Sequence, residues 1–484
     1  MNRTLLKVFE VYVFVFAFLF ASRPASDADV WFHLTTGEYI VQHGTVPRTE
    51  YSSFTNFGVP FVAHGWLSGL IFYLLYKYFS LYALTFVCAL VTAIAFWIIF
   101  RHSRGHRIIA GFVTLLAAWA AVRGAGVRPR VFTLLFATIF LVVLRKYVQT
   151  GKGKAVWLLP PLMVLWVNLH GGFLLGFALI GWAIVGLPLD AWAAGERFST
   201  YWPRLRKLML VLLACGAAGL INPYGLRMYT FPLHVLSSPV FQEGVVDWLS
   251  PNFHLPDFRP LLVLILLTVT VLVASPKRPR PSELLLFVGS LYSTLMTNRQ
   301  MVLLVLVAAP LLSEHLHYLL TSTSFGAKFD RPAPPGGTMR SKVIAVLLLL
   351  PLAAFGFRLR STVYGPIRQE VLTVPVNAVQ YMKENGITGN TFTDPNVWGA
   401  FVSWSLRSNR VYIDGRDVYP PAFVKEYIEL IHGEIGWREP FDRYGVQLVL
   451  IKPGTMLSRE LTEAGWPKLY EDKIAVLFKN PATK

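Results

Sequence analysis

The sequence is poor in charged residues: only 15% of its 484 residues are Asp, Glu, Lys or Arg, whereas 54% are hydrophobic. Soluble globular domains carry about 25% charged residues, so this composition excludes an ordinary soluble protein. Apolar runs such as 81–100, 171–189 and 301–313 approach the length that crosses a bilayer as a helix. We therefore expect a polytopic α-helical membrane protein with about 11 transmembrane helices.

Cysteine and several well-known catalytic motifs are also scarce or absent. The two cysteines, Cys88 and Cys215, lie inside apolar runs, which indicates packing residues rather than a disulfide. The sequence has no phosphate-binding loop of the G-x-x-x-x-G-K-[ST] type, no H-E-x-x-H motif and no paired C-x-x-C. These absences argue against a nucleotide-powered pump and a zinc protease.

Positive charge is unevenly distributed along the chain. The net charge is +18, and residues 1–357 hold 29 basic and 13 acidic side chains, against 16 and 14 in residues 358–484. Basic clusters in predicted loops, such as 101–107, 145–154 and 197–207, favour the cytoplasmic side of the membrane. This pattern predicts a bacterial inner-membrane protein with a cytoplasmic N-terminus and a periplasmic C-terminus, and it indicates no nucleic-acid partner.

Residues 65–79 decide the orientation of all later loops. The segment is apolar, but Trp66, Lys77 and its tyrosines suit the boundary between lipid headgroups and hydrocarbon. We predict an interfacial helix here. The alternative is a short transmembrane span, which would move every later basic cluster to the outside.

The composition changes after residue 357, where short runs rich in β-forming residues alternate with helical stretches. The predicted strands are Thr391–Thr393, Arg410–Asp414, Gln447–Ile451 and Ile474–Phe478, and the predicted helices are 375–385, 420–432 and 456–464. Such alternation indicates a small α/β domain. We expect a transmembrane module over residues 1–357, with an outside loop at 23–80, followed by a periplasmic α/β domain over residues 358–484.

The outside loop after the first predicted span carries the strongest functional signal. Asp27 and Asp29 come within a few residues of the membrane edge, where an unpaired carboxylate costs free energy. A carboxylate there can act as a general base, taking a proton from an acceptor hydroxyl while its oxygen attacks C1 of a sugar. Two alternatives are open. Asp29 can simply cap a helix over 30–42, or Asp27, Asp29, His33 and His64 can bind a divalent metal.

Several other polar residues have both a functional and a structural interpretation. His170 either contacts a phosphate or sugar or forms part of a turn, and Arg227 and Arg299 either pair with a lipid phosphate or reach to the headgroups. Glu314 and His317 are interpreted as polar residues at a helix end. Asp414 and Arg416 follow a predicted strand and either bind acceptor or form a local ion pair.

The order of features in the acidic loop resembles the GT-C superfamily of membrane glycosyltransferases, which use polyprenyl-phosphate sugars. Asp29, the predicted helix over 30–42, Gly44, Pro47 and a second helix from Gly65 follow the order found in that group. By position, Asp29 matches the catalytic acidic residue of the superfamily. This chain departs from the usual motif because Ala28 separates its two acidic residues.

A closer resemblance is to a bacterial branch of membrane proteins with the pattern Asp-x-Asp-x-Trp-x-His-Leu-x-x-Gly, present here from Asp27 to Gly37. Further stretches of the same branch are found in this chain at 166–172, 222–225, 247–251 and 413–416. The branch often has Glu where this chain has Gly65, which weakens a second-carboxylate role at that position.

The resemblance implies transfer of a sugar from a polyprenyl-phosphate carrier to a glycan, lipid or protein acceptor on the periplasmic face. Asp29 would be the base and Asp27 its helper. The residues expected to bind substrate or phosphate are His33, His64, His170, Arg227 and Arg299. No cofactor is expected, with a divalent metal at Asp27, Asp29 and His64 as the alternative. The competing hypotheses are a transporter and a non-catalytic scaffold that displays the α/β domain.

Overall fold

The chain forms two compact units in a computed structural model that describes residues 3–23, 29–121, 126–236, 248–323, 353, 356, 374–416 and 418–483. The helical unit comprises the described residues of Met1–Pro24, Tyr82–Gly225 and Val246–Gly365. The α/β unit comprises those of Ala25–Leu81, Leu226–Val245 and Pro366–Lys484.

The helical unit consists of long apolar helices joined by short loops. Its helices are α1 (Arg3–Ala21), α4 (Leu81–His102), α5 (Arg107–Ala120), α6 (Arg130–Thr150), α7 (Leu159–Leu169), α8 (Leu174–Ala193), α9 (Phe198–Ala218), α11 (Arg259–Ala274), α12 (Pro281–Met296) and α13 (Met301–Thr321). Helix α13 packs against α5, α11 and α12. It is buried continuously from Leu303 to His315, as expected for a helix that is apolar on nearly every face.

Within the described residues, five helical stretches are long and apolar enough to cross a membrane: Leu81–His102, Arg130–Thr150, Gly171–Ala193, Pro256–Ala274 and Asn298–Thr321. They support the predicted class of a helical membrane protein. Helix α5 has 14 residues and is therefore only about 21 Å long, shorter than a typical hydrocarbon core. The predicted span at 343–357 lies almost wholly outside the described residues, so the total of about 11 spans stays a prediction.

The α/β unit combines a small sheet with short helices. Its helices are α2 (Asp29–His43), α3 (Trp66–Tyr78), α10 (Arg227–Leu236), α14 (Val376–Glu384), α15 (Val397–Ser405), α16 (Pro421–His432), α17 (Arg438–Tyr444) and α18 (Met456–Glu463). The strands are β1 (Thr391–Asp394), β2 (Leu448–Ile451), β3 (Lys468–Glu471) and β4 (Val476–Lys479), in the order β1-β2-β4-β3. Strands β1 and β2 are parallel, and the other pairs are antiparallel.

The sequence correctly predicted β1, β2 and β4 and the helices α14, α16 and α18, but one predicted strand was wrong. Residues 410–414 form no regular strand, because in this stretch only Val411 makes bridges, one to Thr391 and one to Ser53. Hydrogen bonds join the Val411 N–H to the Ser52 carbonyl and the Phe54 N–H to the Val411 carbonyl. The outside loop therefore continues the sheet beyond the β1 edge.

This pairing explains why the described part of loop 23–80 belongs to the same compact unit as the C-terminal residues. From the sequence, we expected this loop to belong to the transmembrane module over residues 1–357. Backbone bridges between residues so distant in sequence leave no local pattern that would predict them. The predicted domain boundary after residue 357 lies outside the described residues and stays a prediction.

Two glycines allow α2 and α3 to pack closely in the α/β unit. A Cβ atom on Gly37 would lie 2.2 Å from the carbonyl oxygen of Gly69, and a Cβ on Gly69 would lie 2.9 Å from the carbonyl oxygen of His33. Any side chain at either position would therefore push the helices apart. Helix α3 has 13 residues, about 20 Å of helix, which is short for a span and favours the interfacial interpretation.

Candidate functional site

Asp29 is the first residue of α2 and is partly buried. An acidic residue in the first turn interacts favourably with the exposed N–H groups at the positive end of the helix dipole. The position of Asp29 is therefore compatible with both interpretations, a structural role at the start of the helix and a catalytic role. Asp27, its predicted helper, lies outside the described residues.

His33 lies one helical turn after Asp29, so the two side chains share one face of α2. The residue is only 8% exposed, and its ring lies 4.2 Å from that of Phe32 and 6.1 Å from that of Phe72, centroid to centroid. Burial, with a smaller contribution from His64, lowers the pKa of His33 to about 3. His33 is therefore a neutral imidazole near pH 7, able to donate or accept one hydrogen bond.

His64 is close to both His33 and helix α10, since it influences the pKa of His33 and contacts Phe231 of α10. Its ring is stacked on Phe231 at 5.2 Å between centroids, and the two planes differ by 25°. Phe231 lies one turn after Arg227, the first residue of α10, so these two residues share a helix face. The α/β unit thus contains four of the predicted site residues: Asp29, His33, His64 and Arg227.

His170 and Arg299 belong to the helical unit. The Nδ1 atom of His170 accepts a hydrogen bond from the Gly172 N–H at 3.0 Å and lies 2.8 Å from Thr133 Oγ1. These contacts are those of the turn interpretation, and a substrate role for His170 stays a prediction. The Arg299 guanidinium lies 4.3 Å from the centre of the Trp248 ring, a cation–π contact.

The alternative interpretation of this site, a divalent metal, can be compared with the arrangement of possible ligands in the described part of the chain. No group of three or more His, Cys, Asp or Glu side chains there has an arrangement that could hold a metal ion. Asp27, which the alternative requires, is not among the described residues. The alternative of a divalent metal at Asp27, Asp29 and His64 therefore stays a prediction.

A buried charged cluster, which we call the loop clasp, consists of Glu50, Ser52, Asp414 and Arg416. The sequence pattern pointed to Asp414 and Arg416 but not to their partners in the outside loop. The Arg416 guanidinium donates to Asp414 Oδ2 through Nε at 2.8 Å and to Glu50 Oε1 through Nη2 at 2.8 Å. Glu50 also accepts the Ser52 backbone N–H at 2.6 Å, and the Ser52 hydroxyl donates to Asp414 Oδ2 at 3.0 Å. The clasp therefore joins the outside loop to the C-terminal part of the chain.

The loop clasp is closed to solvent, since the exposed side-chain fraction is 0% for Glu50, 2% for Asp414 and 4% for Arg416. Burial by itself would lower the pKa of Arg416, but Asp414 and Glu50 outweigh it and raise that pKa well above its ordinary value. The guanidinium also lies 5.0 Å from the centre of the Phe61 ring and 5.3 Å from that of Tyr51. Arg416 therefore stays charged and is held from several sides.

The sequence left open whether Asp414 and Arg416 bind acceptor or form a local ion pair. Asp414 and Arg416 form the local ion pair of the structural interpretation, and Glu50 completes it from the loop. Acceptor binding by these residues stays a prediction. The only sequence signal for Glu50 was its place among the four acidic residues of the outside loop.

Two further contacts hold α2 against the C-terminal residues of the same unit. Glu38 forms an ion pair with Arg407, with 2.5 Å between Oε2 and Nη2. Trp31 packs edge-on against Phe401 of α15, with 4.9 Å between ring centroids. The helix that carries Asp29 and His33 is thus positioned by residues more than 350 places later in the chain.

Comparison with known proteins identifies the fold but no close relative. No family model matches the sequence, and no curated protein matches it. Among solved structures, the oligosaccharyltransferase of Archaeoglobus fulgidus in its apo form aligns at a TM-score of 0.56 and 12% identity, covering 91% of this chain and 69% of that chain.

Two other structures of the Archaeoglobus fulgidus enzyme align equally well. AglB in complex with an inhibitory peptide and a dolichol-phosphate has a TM-score of 0.56 and 12% identity, covering 92% of this chain and 69% of its own. The form tethered to an acceptor peptide has a TM-score of 0.56 and 11% identity, covering 91% and 68%. At such low identity the likeness shows the fold alone: the chain shares its architecture with these oligosaccharyltransferase structures.

Proposed function

We propose that this protein is a membrane glycosyltransferase of the GT-C type, which transfers a sugar from a polyprenyl-phosphate carrier to an acceptor on the periplasmic side of a bacterial inner membrane. The observation that carries the proposal is the alignment of 91% of the chain with an oligosaccharyltransferase. A related structure contains a dolichol-phosphate, which supports a lipid-linked donor for this fold.

In the proposed reaction Asp29 is the general base. It removes the proton from an acceptor hydroxyl as that oxygen forms a bond to C1 of the sugar, while the bond from C1 to the phosphate oxygen breaks and the carrier leaves as polyprenyl phosphate. Asp27 assists Asp29. Asp29 is the first residue of α2, where a carboxylate interacts favourably with the helix dipole.

The neighbouring residues have supporting roles in this proposal. His33, neutral because it is buried, orients the acceptor by a hydrogen bond, and His64 lines the site beside it. Arg227, on the face of α10 that contacts His64 through Phe231, meets the phosphate charge. His170 and Arg299 are further candidates for contacts with the carrier.

The test is the Asp29→Asn variant, compared with Asp257→Asn. Asp257 is an exposed acidic residue just before α11 and is not among the residues to which we assign a role. Each protein is reconstituted in proteoliposomes with a panel of polyprenyl-phosphate hexoses and pentoses and a membrane extract as acceptor source. Release of polyprenyl phosphate is measured. We expect Asp29→Asn to lower the rate about 10²- to 10⁴-fold, because a general base contributes on that scale.

Asp257→Asn should retain the wild-type rate, and both variants should have the thermal unfolding midpoint of the wild-type protein. Full activity of Asp29→Asn would eliminate the proposed base. A wild-type protein that releases no polyprenyl phosphate from any donor in the panel would contradict the proposed activity and favour the scaffold hypothesis.

A further inference from the structure

The helical unit contains a cavity of about 610 Å³ at the ends of several helices. Its polar lining consists of Arg104, His106, Lys277, Glu314, His317 and Tyr318. These residues come from the loop between α4 and α5, the loop between α11 and α12, and the last part of α13. The sequence predicts a cytoplasmic location for both loops, because each carries a basic cluster.

Glu314 lies at the centre of a charged network at this cavity, with only 4% of its side chain exposed. Lys277 Nζ lies 2.6 Å from its carboxylate, Arg145 Nη2 lies 3.2 Å away and Arg104 Nη1 lies 3.6 Å away. Arg145 also pairs with Glu283 at 2.8 Å. Three cations thus face two carboxylates, which leaves a surplus of positive charge.

The surplus is located on the accessible side of the network. Arg104 and Lys277 line the cavity and keep 46% and 35% of their side chains exposed, whereas Arg145 keeps 14%. Accessible Arg and Lys side chains present N–H donors that suit phosphate oxygens. The cations that are not needed to neutralise Glu314 can therefore contact an incoming anion.

The backbone at Gly105 contributes to the shape of the cavity. Gly105 has φ +95°, and a Cβ atom there would lie 2.7 Å from the Cβ of His317 on α13. Only glycine allows the loop to approach the helix this closely. The next residue, His106, caps α5, with its Nδ1 accepting from the Ile108 N–H at 3.3 Å, so the positive end of the α5 dipole adjoins the cavity.

We propose that this cavity binds a phosphate-bearing anion, either the headgroup of an anionic phospholipid or a soluble phosphate ester. Basic pockets between transmembrane helices on the cytoplasmic side are suited to such headgroups. The site uses only residues of the helical unit. It does not depend on the proposed glycosyl transfer, whose base belongs to the α/β unit.

The first test compares Arg104→Gln with Arg101→Gln in the purified full-length protein. Arg101 is a matched control, because it is 45% exposed, belongs to the same helix end and pairs with Glu10 instead of Glu314. Binding of short-chain phosphatidylglycerol is measured by titration, with phosphatidylcholine as the zwitterionic control. We expect Arg104→Gln to weaken phosphatidylglycerol binding about tenfold and Arg101→Gln to leave it unchanged.

A second variant separates binding from folding defects. Glu314→Gln removes the carboxylate that competes with the anion for Arg104 and Lys277, so it should strengthen phosphatidylglycerol binding severalfold. A variant that merely disturbs the fold would weaken binding. Equal binding by the wild type, Arg104→Gln and Glu314→Gln would overturn the proposal, as would equal affinity for phosphatidylcholine.

Competition with glycerol phosphate and with inorganic phosphate identifies the source of the anion. Displacement of phosphatidylglycerol by millimolar glycerol phosphate, lost in Arg104→Gln, would assign the site to a soluble phosphate ester. Binding of phosphatidylglycerol that neither competitor displaces, and that still depends on Arg104, would assign it to a lipid headgroup. Failure of all three probes to bind the wild-type protein would refute the site.

Discussion

Each of the two units contains a cluster of charged side chains, the loop clasp in the α/β unit and the network around Glu314 in the helical unit. The loop clasp has an excess of negative charge, whereas the Glu314 network has an excess of positive charge. The loop clasp has two carboxylates and one guanidinium, none more than 4% exposed. The network around Glu314 has three cations and two carboxylates, and two of its cations are about one-third to one-half exposed. The closed cluster fastens two parts of the chain together, whereas the open cluster borders a cavity and can take a further anion.

The difference shows that burial, more than charge itself, separates a structural cluster from a candidate binding site. Every carboxylate of the loop clasp is in contact with Arg416 or with hydroxyl and backbone donors of the same cluster. If one charged member is removed, the remaining buried charges lose the partner that offset the cost of taking them out of water. In the open network, water can replace a lost partner at Arg104 or Lys277.

The largest stability effect is therefore expected for Arg416→Met, which leaves Glu50 and Asp414 buried without their cation. We expect a loss of about 3–5 kcal/mol in the free energy of unfolding. The matched variant Lys277→Met, in the open network, should cost about 1 kcal/mol or less, because Arg145 still pairs with Glu314. Thermal and denaturant unfolding of the full-length protein, followed by tryptophan fluorescence, measures both. Similar losses in the two variants would contradict the distinction between a closed and an open cluster.

An intermediate effect is expected from acid, through His33. The unfolded chain binds a proton as the pH falls below the ordinary His pKa of 6.5, but the folded protein does not until the pH approaches about 3. Stability is thus retained above pH 6.5 and lost as the pH falls, by about 2 kcal/mol between pH 7 and pH 5.

The control for this effect is a pair of substitutions on α2. His33→Gln should reduce the difference in unfolding midpoint between pH 7 and pH 5, whereas the same change at the exposed His43 should not. An unchanged pH dependence in His33→Gln would mean that the buried imidazole is protonated in the folded protein.

The smallest effect is expected at the ion pair between Glu38 and Arg407, in which Arg407 is 44% exposed. Arg407→Gln should lower the free energy of unfolding by less than about 1 kcal/mol, because solvent and salt screen exposed pairs. The loss should shrink further in 0.5 M salt. A loss as large as that of Arg416→Met would mean that the pair between Glu38 and Arg407 stabilises the fold as strongly as the loop clasp, despite its exposure.

Much of the architecture could be predicted from local sequence patterns. Apolar runs marked the long helices, and the alternation of β-forming and helical stretches after residue 374 marked β1, β2 and α16. Such signals arise from residues close together in the chain. Helix α17 and strand β3 were missed because each is short and lacks a clear period.

The candidate site was only partly predictable, for a physical reason. Asp29, His33 and His64 lie within one loop, so their grouping could be expected from the sequence. The partnership of Glu50 with Arg416 spans 366 positions and depends on the packing of the loop against a sheet edge. A single sequence carries no pattern that reports such a contact, and Arg410–Asp414 was accordingly mistaken for a regular strand.

The bridge between Ser53 and Val411 can form only late in synthesis, because its two residues are far apart in the chain. Ser52 emerges from the ribosome 362 residues before its partner Asp414. At the usual pace of synthesis, about 5–20 residues per second, the loop waits roughly 20–70 seconds for the rest of its fold. During that interval the backbone groups of the loop can pair only with water, so we expect a chain that stops before residue 411 to leave this loop unfolded and open to quality-control proteases.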